Sequence, residues 1–249
     1  MDQELLKTSK KQRLVIAVIA ILMLGSFIAS YAAIVLANGS EGDLDDSERL
    51  LNKYGEQYYE KQKALASMSK DDFNKFIEFK GRISAYNESN ANADGLEYED
   101  LLIGDGRTLS EGDTDYYAYY VGWCPDESIF DSTFNSNDNP ASFTGILDAS
   151  IGLIAGWEAG VEGMNINGVR EITIPGELAY KDEKEICGGY YKPLKFIVMA
   201  KEKTSELNAM YDELQLAKTK YQYANWGIDY DKQMAGDPDE EELEVEEGE

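Results

Sequence analysis

An uncharged stretch near the N-terminus places the strongest constraint on what this chain can fold into. Residues 14–37 read LVIAVIAILMLGSFIASYAAIVLA, which is 24 consecutive positions without a charged side chain. At about 1.5 Å of rise per residue, a helix of this length crosses a hydrocarbon layer about 30 Å thick. A helix buried in a globular core rarely stays uncharged over so many residues. The stretch therefore predicts a transmembrane helix over residues 14–37.

Charges on either side of this stretch predict its orientation. Four cations precede it and five acids follow it closely. Because cations concentrate on the cytoplasmic side of a membrane, residues 1–13 are expected in the cytoplasm and residues 38–249 outside. The alternative is a secretory signal cleaved after Val35-Leu36-Ala37, but signal h-regions are shorter, about 7–15 residues. We therefore expect a single-pass cell-membrane protein whose main domain is extracytoplasmic.

Composition excludes several classes of function. The chain has 23 Lys and Arg against 48 Asp and Glu, a net charge of −25, which argues against a nucleic-acid partner. It has no His, so Ser-His-Asp catalysis and His-based metal sites are excluded, and its two cysteines are too few for a Cys-rich zinc site. Nine acids between Asp237 and Glu249 raise the alternative of a metal-binding tail. Such runs are typical of solvated disorder, and EF-hand spacing is lacking. We predict no metal and no cofactor.

Periodicity and turn residues divide the chain into segments. Helical patterns over 47–68 and 70–86 predict a stalk, with Ser69 capping the second helix and a linker over 87–95. The apolar side chains of the stalk are expected to pack on each other or on the main domain rather than on a dedicated partner. The predicted plan is a cytoplasmic N-terminus (1–13), a transmembrane helix (14–37), a helical stalk and linker (38–95), a main domain (96–203), a C-terminal helix (204–226) and an acidic disordered tail (227–249).

The main domain differs in pattern from the helical segments. Short β-type runs alternate with turns that contain Gly, Asn and Pro, and one short helix fits near residues 151–162. Several strands with a single helix predict an antiparallel sheet wrapped around that helix, an α+β fold.

An ordered set of short motifs in this segment resembles the FKBP-type peptidyl-prolyl cis-trans isomerases. The motifs are Gly104-Asp105-Gly106, Glu111-Gly112-Asp113, Tyr119-Tyr120-Val121-Gly122, Ile129-Phe130-Asp131-Ser132-Thr133, Pro140, Phe143, the run from Leu153 to Val161, Gly163-Met164, Ile174-Pro175, Leu178-Ala179-Tyr180 and Pro193-Leu194-Lys195-Phe196. Each motif is common by chance, but their order is specific. The resemblance covers less than half of the chain and implies an FKBP-like fold with prolyl isomerase activity.

The chemistry of that family suits a chain without histidine. An X-Pro bond isomerises by rotation about its C–N bond, against a barrier of about 18–20 kcal/mol, and no bond to a proton needs to break. The twisted amide carries less charge separation than the planar one. An apolar pocket that removes water from the carbonyl therefore favours the twisted form.

The resemblance also assigns roles to individual residues. Aromatic side chains with few ionisable groups around them are typical of concave apolar ligand sites. Asp131, Tyr180 and Phe130 are implied as catalytic, with Asp131 at the rim and Tyr180 donating its hydroxyl to substrate. For Asp131, a turn-capping role is the alternative. The implied substrate-binding residues are Trp157 as the floor, Tyr120, Phe130, Phe143 and Phe196 as walls, Leu153, the backbone N–H of Ile154, Tyr180 and Ile186.

The flap that follows Tyr180 departs from the family pattern. Lys181 stands where the family commonly has glycine, and Ile186 is the one aliphatic residue within 182–191. These changes leave open an alternative function, a catalytically weak or inactive FKBP-like peptide-binding chaperone or scaffold at the membrane surface. Under either function, the implied partners are X-Pro segments of unfolded or folding proteins and macrolide-type FKBP ligands.

The two cysteines are predicted to form a disulfide. The domain is expected outside the cytoplasm, where disulfides persist. Cys124 lies four residues after Tyr120, so strand alternation places both on one face, and Cys187 lies in the flap near the pocket mouth. The alternative is two separate buried thiols.

Overall fold

The computed structural model describes residues 46–134 and 142–235. The predicted transmembrane helix over 14–37 and most of the acidic tail lie outside this range. Within the described range, no helix has both the length and the apolar character needed to cross a membrane. The chain divides into two compact units, one formed by residues 60–214 and one that includes residues 46–59 and 215–235.

Six helices and six strands are present in the described residues, besides three short 3-10 turns. Helices α1 to α6 are Asp46–Met68, Lys70–Ile77, Glu88–Ala93, Ala155–Val161, Ser205–Asn225 and Tyr230–Ala235. Strands β1 to β6 are Glu97–Leu102, Tyr116–Trp123, Ile129–Ser132, Leu147–Asp148, Val169–Ile174 and Leu194–Glu202.

The larger unit contains one antiparallel sheet. Its strand order is β1-β5-β6-β2-β3, and β4 pairs with β2. The central strands β5, β6 and β2 are almost entirely buried, as their runs of β-branched and aromatic residues require. Helix α4 packs on one face of this sheet. The predicted α+β fold, an antiparallel sheet with one short helix against it, is confirmed.

Two glycines allow α4 to approach the sheet closely. A Cβ atom built on Gly156 would lie 2.2 Å from Cγ2 of Ile174, and one built on Gly160 would lie 2.6 Å from Cγ2 of Ile172. Any side chain at either position would push the helix away from β5. The Gly-Trp-Glu-Ala-Gly sequence therefore sets the depth at which Trp157 enters the core.

Buried Arg170 fixes the far end of the same helix. The guanidinium lies on β5 and is 2% exposed. It pairs with Asp100 of the edge strand β1, with Nε 2.7 Å from Oδ1, and its Nη1 donates to the carbonyls of Gly160 and Glu162. A buried arginine is tolerated here because each of these contacts replaces a hydrogen bond that the guanidinium would otherwise make with water. The pairing joins β1 and the C-terminus of α4.

The opposite face of the sheet is covered by α2. Phe73 and Phe76 of this helix are buried against aromatic side chains of the sheet side. The predicted cap is corrected, because the Ser69 hydroxyl makes no capping bond and instead contacts the hydroxyl of Tyr119. The predicted helix over 70–86 is also shorter, ending at Ile77, because a 3-10 turn follows at Lys80–Arg82.

Two further boundaries differ from the prediction. Residues 87–95 are not an unstructured linker, since the Asn87 side chain accepts from the backbone N–H of Asn90 and caps α3. The helix expected near 151–162 begins only at Ala155. A 3-10 turn capped by Asp148 precedes it, and Gly152 at φ +83° separates the two.

In the smaller unit, the first and last long helices contribute a separate cluster of buried side chains. Tyr54, Tyr221 and Ala224 form its centre. The hydroxyl of Tyr54 donates to Asp229 at 2.5 Å and lies 3.0 Å from Asp231. These contacts hold α6, which forms within the region predicted to be disordered from residue 227. That prediction is therefore corrected for residues 230–235.

Candidate active site

Trp157 lies at the centre of a group of aromatic side chains on the α4 face of the sheet. Its ring meets Tyr120 and Phe196 edge to face, with centroids 5.3 Å and 5.2 Å away. Its indole N–H donates to the hydroxyl of Tyr116 at 3.1 Å. Because the polar atom of the indole is satisfied and the ring is 3% exposed, the residue is fixed in position. This geometry fits the floor of a pocket.

Strand pairing brings the neighbouring rings together. Gly122 of β2 pairs with Phe196 of β6 on one side and with Asp131 of β3 on the other. The rings of Phe130 and Phe196 meet over this glycine, 5.5 Å apart, and a Cβ atom at Gly122 would lie 2.7 Å from each. Sequence analysis gave Gly122 no role of its own. Its place two residues after Tyr120, on the same face of β2, is the signal that points to it.

Asp131 lies half-buried beside this group. The hydroxyl of Tyr120 donates to its Oδ2 at 2.7 Å, and the backbone N–H of Ser132 donates to its Oδ1 at 2.9 Å. Burial, and next the negative charge of Asp131, raise the pKa of Tyr120 well above its ordinary value. The phenol therefore keeps its proton and holds the carboxylate in a fixed orientation. Asp131 belongs to β3 rather than to a turn.

Tyr180 presents a protonated hydroxyl near the same carboxylate. Burial, together with the charge of Asp131, raises the pKa of Tyr180 to about 12. The Lys184 ammonium lies 4.7 Å from the centroid of the Tyr180 ring. Among the described residues, none forms a hydrogen bond with the Tyr180 hydroxyl. The group is therefore an available donor at neutral pH.

Leu153 and Ile154 precede α4 and pack, half-buried, against the same core. Ile154 occupies the N-cap position, where its carbonyl accepts from Trp157 at 2.9 Å and from Glu158 at 3.2 Å. Its own N–H forms no hydrogen bond within the described part of the chain. A helix start leaves such donors available, so this N–H can meet a ligand carbonyl.

Phe143 does not join this group, and its assignment to the pocket wall is corrected. Its ring stacks on Tyr119 at 3.9 Å and lies edge-on to Phe73 and Phe76 of α2. Tyr119 and Tyr120 are consecutive on β2, so their side chains point to opposite faces of the sheet. Phe143 is 0% exposed on the α2 face.

The flap supplies the remaining side of the site. Ile186 and Cys187 pack against the core cluster that contains Trp157. Cys187 forms a disulfide with Cys124, with the Cα atoms 5.4 Å apart. The structure thus brings together the predicted residues Tyr120, Phe130, Asp131, Leu153, Ile154, Trp157, Tyr180, Ile186 and Phe196 on one face, while Phe143 lies on the other.

The arrangement offers no metal chemistry in the range that the structure describes. No group of three or more acidic or cysteine side chains there could hold an ion. The groups that could act on a ligand are an apolar floor, two hydrogen-bond donors (one hydroxyl and one backbone amide) and one oriented carboxylate.

Comparison with known proteins indicates the family to which the chain belongs. The family model for FKBP-type peptidyl-prolyl cis-trans isomerases matches residues 106–200. The chain is 40% identical over 87 residues to FK506-binding protein 4 of Gibberella zeae, and this match covers 34% of this chain and 16% of that protein. It is also 34% identical over 86 residues to the FK506-binding protein of Neisseria meningitidis serogroup B, and this match covers 34% of this chain and 74% of that protein.

One solved structure, the crystal structure of AtFKBP13, covers 45% of the chain at 26% identity with a TM-score of 0.35. The relative from Neisseria meningitidis is matched over most of its length. On that match and the family model, the chain belongs to the FKBP-type peptidyl-prolyl cis-trans isomerase family.

Proposed function

We propose that this protein isomerises X-Pro bonds in unfolded or folding proteins, using the pocket around Trp157. The observation that carries the proposal is the joint placement of an indole floor, an oriented carboxylate and two donors that form no hydrogen bond with the residues that the structure describes. The Tyr120–Asp131 hydrogen bond orients the carboxylate, and the donors are the Tyr180 hydroxyl and the Ile154 N–H.

The floor and walls act on the proline ring and on the solvation of its amide. In the proposed complex, the pyrrolidine ring of the substrate packs against the indole of Trp157, beside the rings of Tyr120, Phe130 and Phe196 that surround it. Water is excluded there, and the planar amide loses the solvent that stabilises its charge separation. The twisted amide loses less, so the barrier to rotation falls.

The polar groups hold the substrate in place while the amide turns. The Ile154 N–H and the Tyr180 hydroxyl each donate to a substrate carbonyl, because preoriented donors need no reorganisation during the reaction. The Asp131 carboxylate faces the positive end of the twisting carbonyl. Its orientation is fixed by Tyr120, so a change at either residue weakens the same interaction.

The proposed cellular setting is the outer side of a membrane. The uncharged run over 14–37 and the cations before it support a membrane anchor with the isomerase domain outside the cytoplasm. The disulfide supports the same setting, since such bonds persist in oxidising compartments. The proposed clients are extracytoplasmic proteins that contain X-Pro segments. Because the relatives are named FK506-binding proteins, macrolides of that class are proposed as ligands of the same pocket.

The proposal is tested by an isomerase assay on an Ala-Leu-Pro-Phe peptide, with Asp131→Asn as the diagnostic variant. We expect wild-type turnover above the uncatalysed rate and a loss of kcat/KM of about fivefold or more in Asp131→Asn, equivalent to about 1 kcal/mol. Asp71→Asn, at an exposed position on α2, is the matched control and should leave kcat/KM unchanged.

Two results would argue against turnover at this site. A wild type that binds the peptide without accelerating isomerisation would make the protein a peptide-binding chaperone. A wild type that neither binds nor isomerises the peptide would overturn the proposed function.

A further inference from the structure

The flap is a short hairpin with few hydrogen bonds of its own. The backbone N–H of Tyr191 donates to the carbonyl of Lys181 at 3.1 Å and closes its base. At its tip, Ile186 and Gly189 exchange two backbone hydrogen bonds, of 2.9 and 3.1 Å. Cys187 and Gly188 form the two-residue turn between them.

This hairpin concentrates unfavourable backbone conformations. In the described chain, five residues other than glycine have a positive φ, and three of them lie in the flap: Lys181 at 52°, Cys187 at 54° and Tyr191 at 53°. This left-handed conformation is sterically unfavourable for residues with a Cβ atom. Such conformations persist where the surrounding structure holds them in place, so the flap requires a constraint from outside itself.

The disulfide supplies that constraint at the turn. Cys187 at the hairpin tip is bonded to Cys124, which directly follows β2 and is 3% exposed. Cys124 is itself fixed by backbone hydrogen bonds, since its N–H donates to Ser128 and its carbonyl accepts from Glu127, both at 2.9 Å. The tip of the flap is therefore tied to the rigid end of a central strand.

The constrained segment carries two residues that touch the site. Ile186, next to Cys187, packs against the core cluster around Trp157. Lys184 lies over the ring of Tyr180, the proposed hydroxyl donor. A flap released at its tip would withdraw Ile186 from the pocket and leave one face of Tyr180 uncovered.

We propose that Cys124 and Cys187 are positioning residues for the prolyl-peptide site, acting through Ile186 and Tyr180. The inference rests on the proposed function. Because the flap contacts the bound peptide before and during rotation alike, its release weakens ground-state and transition-state binding together. Loss of the disulfide should then raise KM and leave kcat nearly unchanged.

The test compares the full chain with the double variant Cys124→Ala/Cys187→Ala. We expect KM for the Ala-Leu-Pro-Phe peptide to rise about tenfold and kcat to stay within about twofold. Hydrogen exchange of the backbone amides of Ile186, Gly189 and Tyr191 should accelerate in the variant, while amides of β2 and β6 stay protected. The control for lost stability is Phe76→Leu, on the α2 face, which should lower the unfolding midpoint without changing KM or flap exchange.

The two measurements separate the inference from the function on which it rests. Unchanged KM and unchanged exchange at the three flap amides would overturn the positioning role. A fall in kcat/KM that Phe76→Leu reproduces at equal loss of stability would overturn it as well. If the wild type neither binds nor isomerises the peptide, the proposed function fails, and the exchange data alone decide whether the bridge holds the flap.

Discussion

The two faces of β2 carry similar aromatic side chains but differ in what covers them. On one face, Tyr119 stacks on Phe143, and Phe73 and Phe76 of α2 close over the pair. On the other face, Tyr120 meets Trp157 edge to face, and its hydroxyl bonds to the half-buried Asp131. The first cluster is sealed by a helix, whereas the second is bordered by a hairpin that a disulfide holds.

This difference shows that aromatic content alone does not distinguish a core from a site. In the sealed cluster, rings fill space between a helix and a sheet. In the Trp157 cluster, the Asp131 carboxylate, the Tyr180 hydroxyl and the Ile154 backbone N–H border the rings, and neither donor forms a hydrogen bond within the described residues. Function is therefore expected where polar groups enter an aromatic cluster, and variants on the two faces should affect different properties.

The largest expected effect is a loss of folding stability from a change on the α2 face. Phe143→Ala should lower the free energy of unfolding by about 3–5 kcal/mol, because the ring is 0% exposed and its removal leaves a cavity that α2 cannot fill. Urea unfolding followed by tryptophan fluorescence measures this loss. A loss below about 1 kcal/mol would mean that the ring is less tightly packed than the structure shows.

The next effect is a loss of folding stability at high pH, to which a tyrosine on each face of β2 contributes. Burial raises the pKa of Tyr116, on the Trp157 face, and of Tyr119, on the α2 face, to about 12 from an ordinary value of 10.0. The unfolded chain releases these protons near pH 10 while the folded chain keeps them. Stability should hold up to about pH 9 and then fall by about 3 kcal/mol or more as the pH rises to 12.

Unfolding midpoints in urea at pH 8, 10 and 11.5 measure this loss. Tyr116→Phe and Tyr119→Phe should each reduce it by a similar amount, because the two residues are equally buried, each 1% exposed. A reduction in one variant alone would show that the two faces differ in solvent access to their tyrosines. A midpoint that does not change with pH would contradict the burial of both.

The smallest effect is expected at the Tyr180 hydroxyl, on the Trp157 face. Tyr180→Phe keeps the ring under Lys184 and removes one donor, whose hydrogen bond is worth about 0.5–1.5 kcal/mol. This corresponds to about a fivefold loss of kcat/KM if the bond forms in the transition state. The unfolding midpoint should not change. Full activity in Tyr180→Phe would remove this hydroxyl from the mechanism.

Much of this fold could be predicted from local patterns. The β-type runs of β2 and β5 and the Gly-Trp-Glu-Ala-Gly helix are encoded within a few residues each, and the structure confirms the α+β domain that they indicate. The errors lie where tertiary contacts override a local signal. Ser69 has the sequence context of a cap, but its hydroxyl meets Tyr119, fifty positions away.

The site was harder to predict where consecutive residues of a strand point to opposite faces of the sheet. Phe143 matches the aromatic pattern of the family, yet the motif alone does not reveal which face of β2 its ring contacts. In the flap, Lys181 stands where the family commonly has glycine, which is a signal for its positive φ. Tyr191 carried no such signal, because a non-glycine residue at positive φ depends on external constraints rather than on its own preference.

Activity per folded molecule in Phe130→Ala and Phe143→Ala tests the central claim most directly. The claim is that the Trp157 face of β2 is the isomerase site and the α2 face is core. With kcat/KM normalised to the folded fraction, Phe130→Ala should lose about tenfold or more, because it opens the pocket wall to water, and Phe143→Ala should stay within about twofold of wild type. The reverse ranking, or equal losses in both variants, would contradict the account.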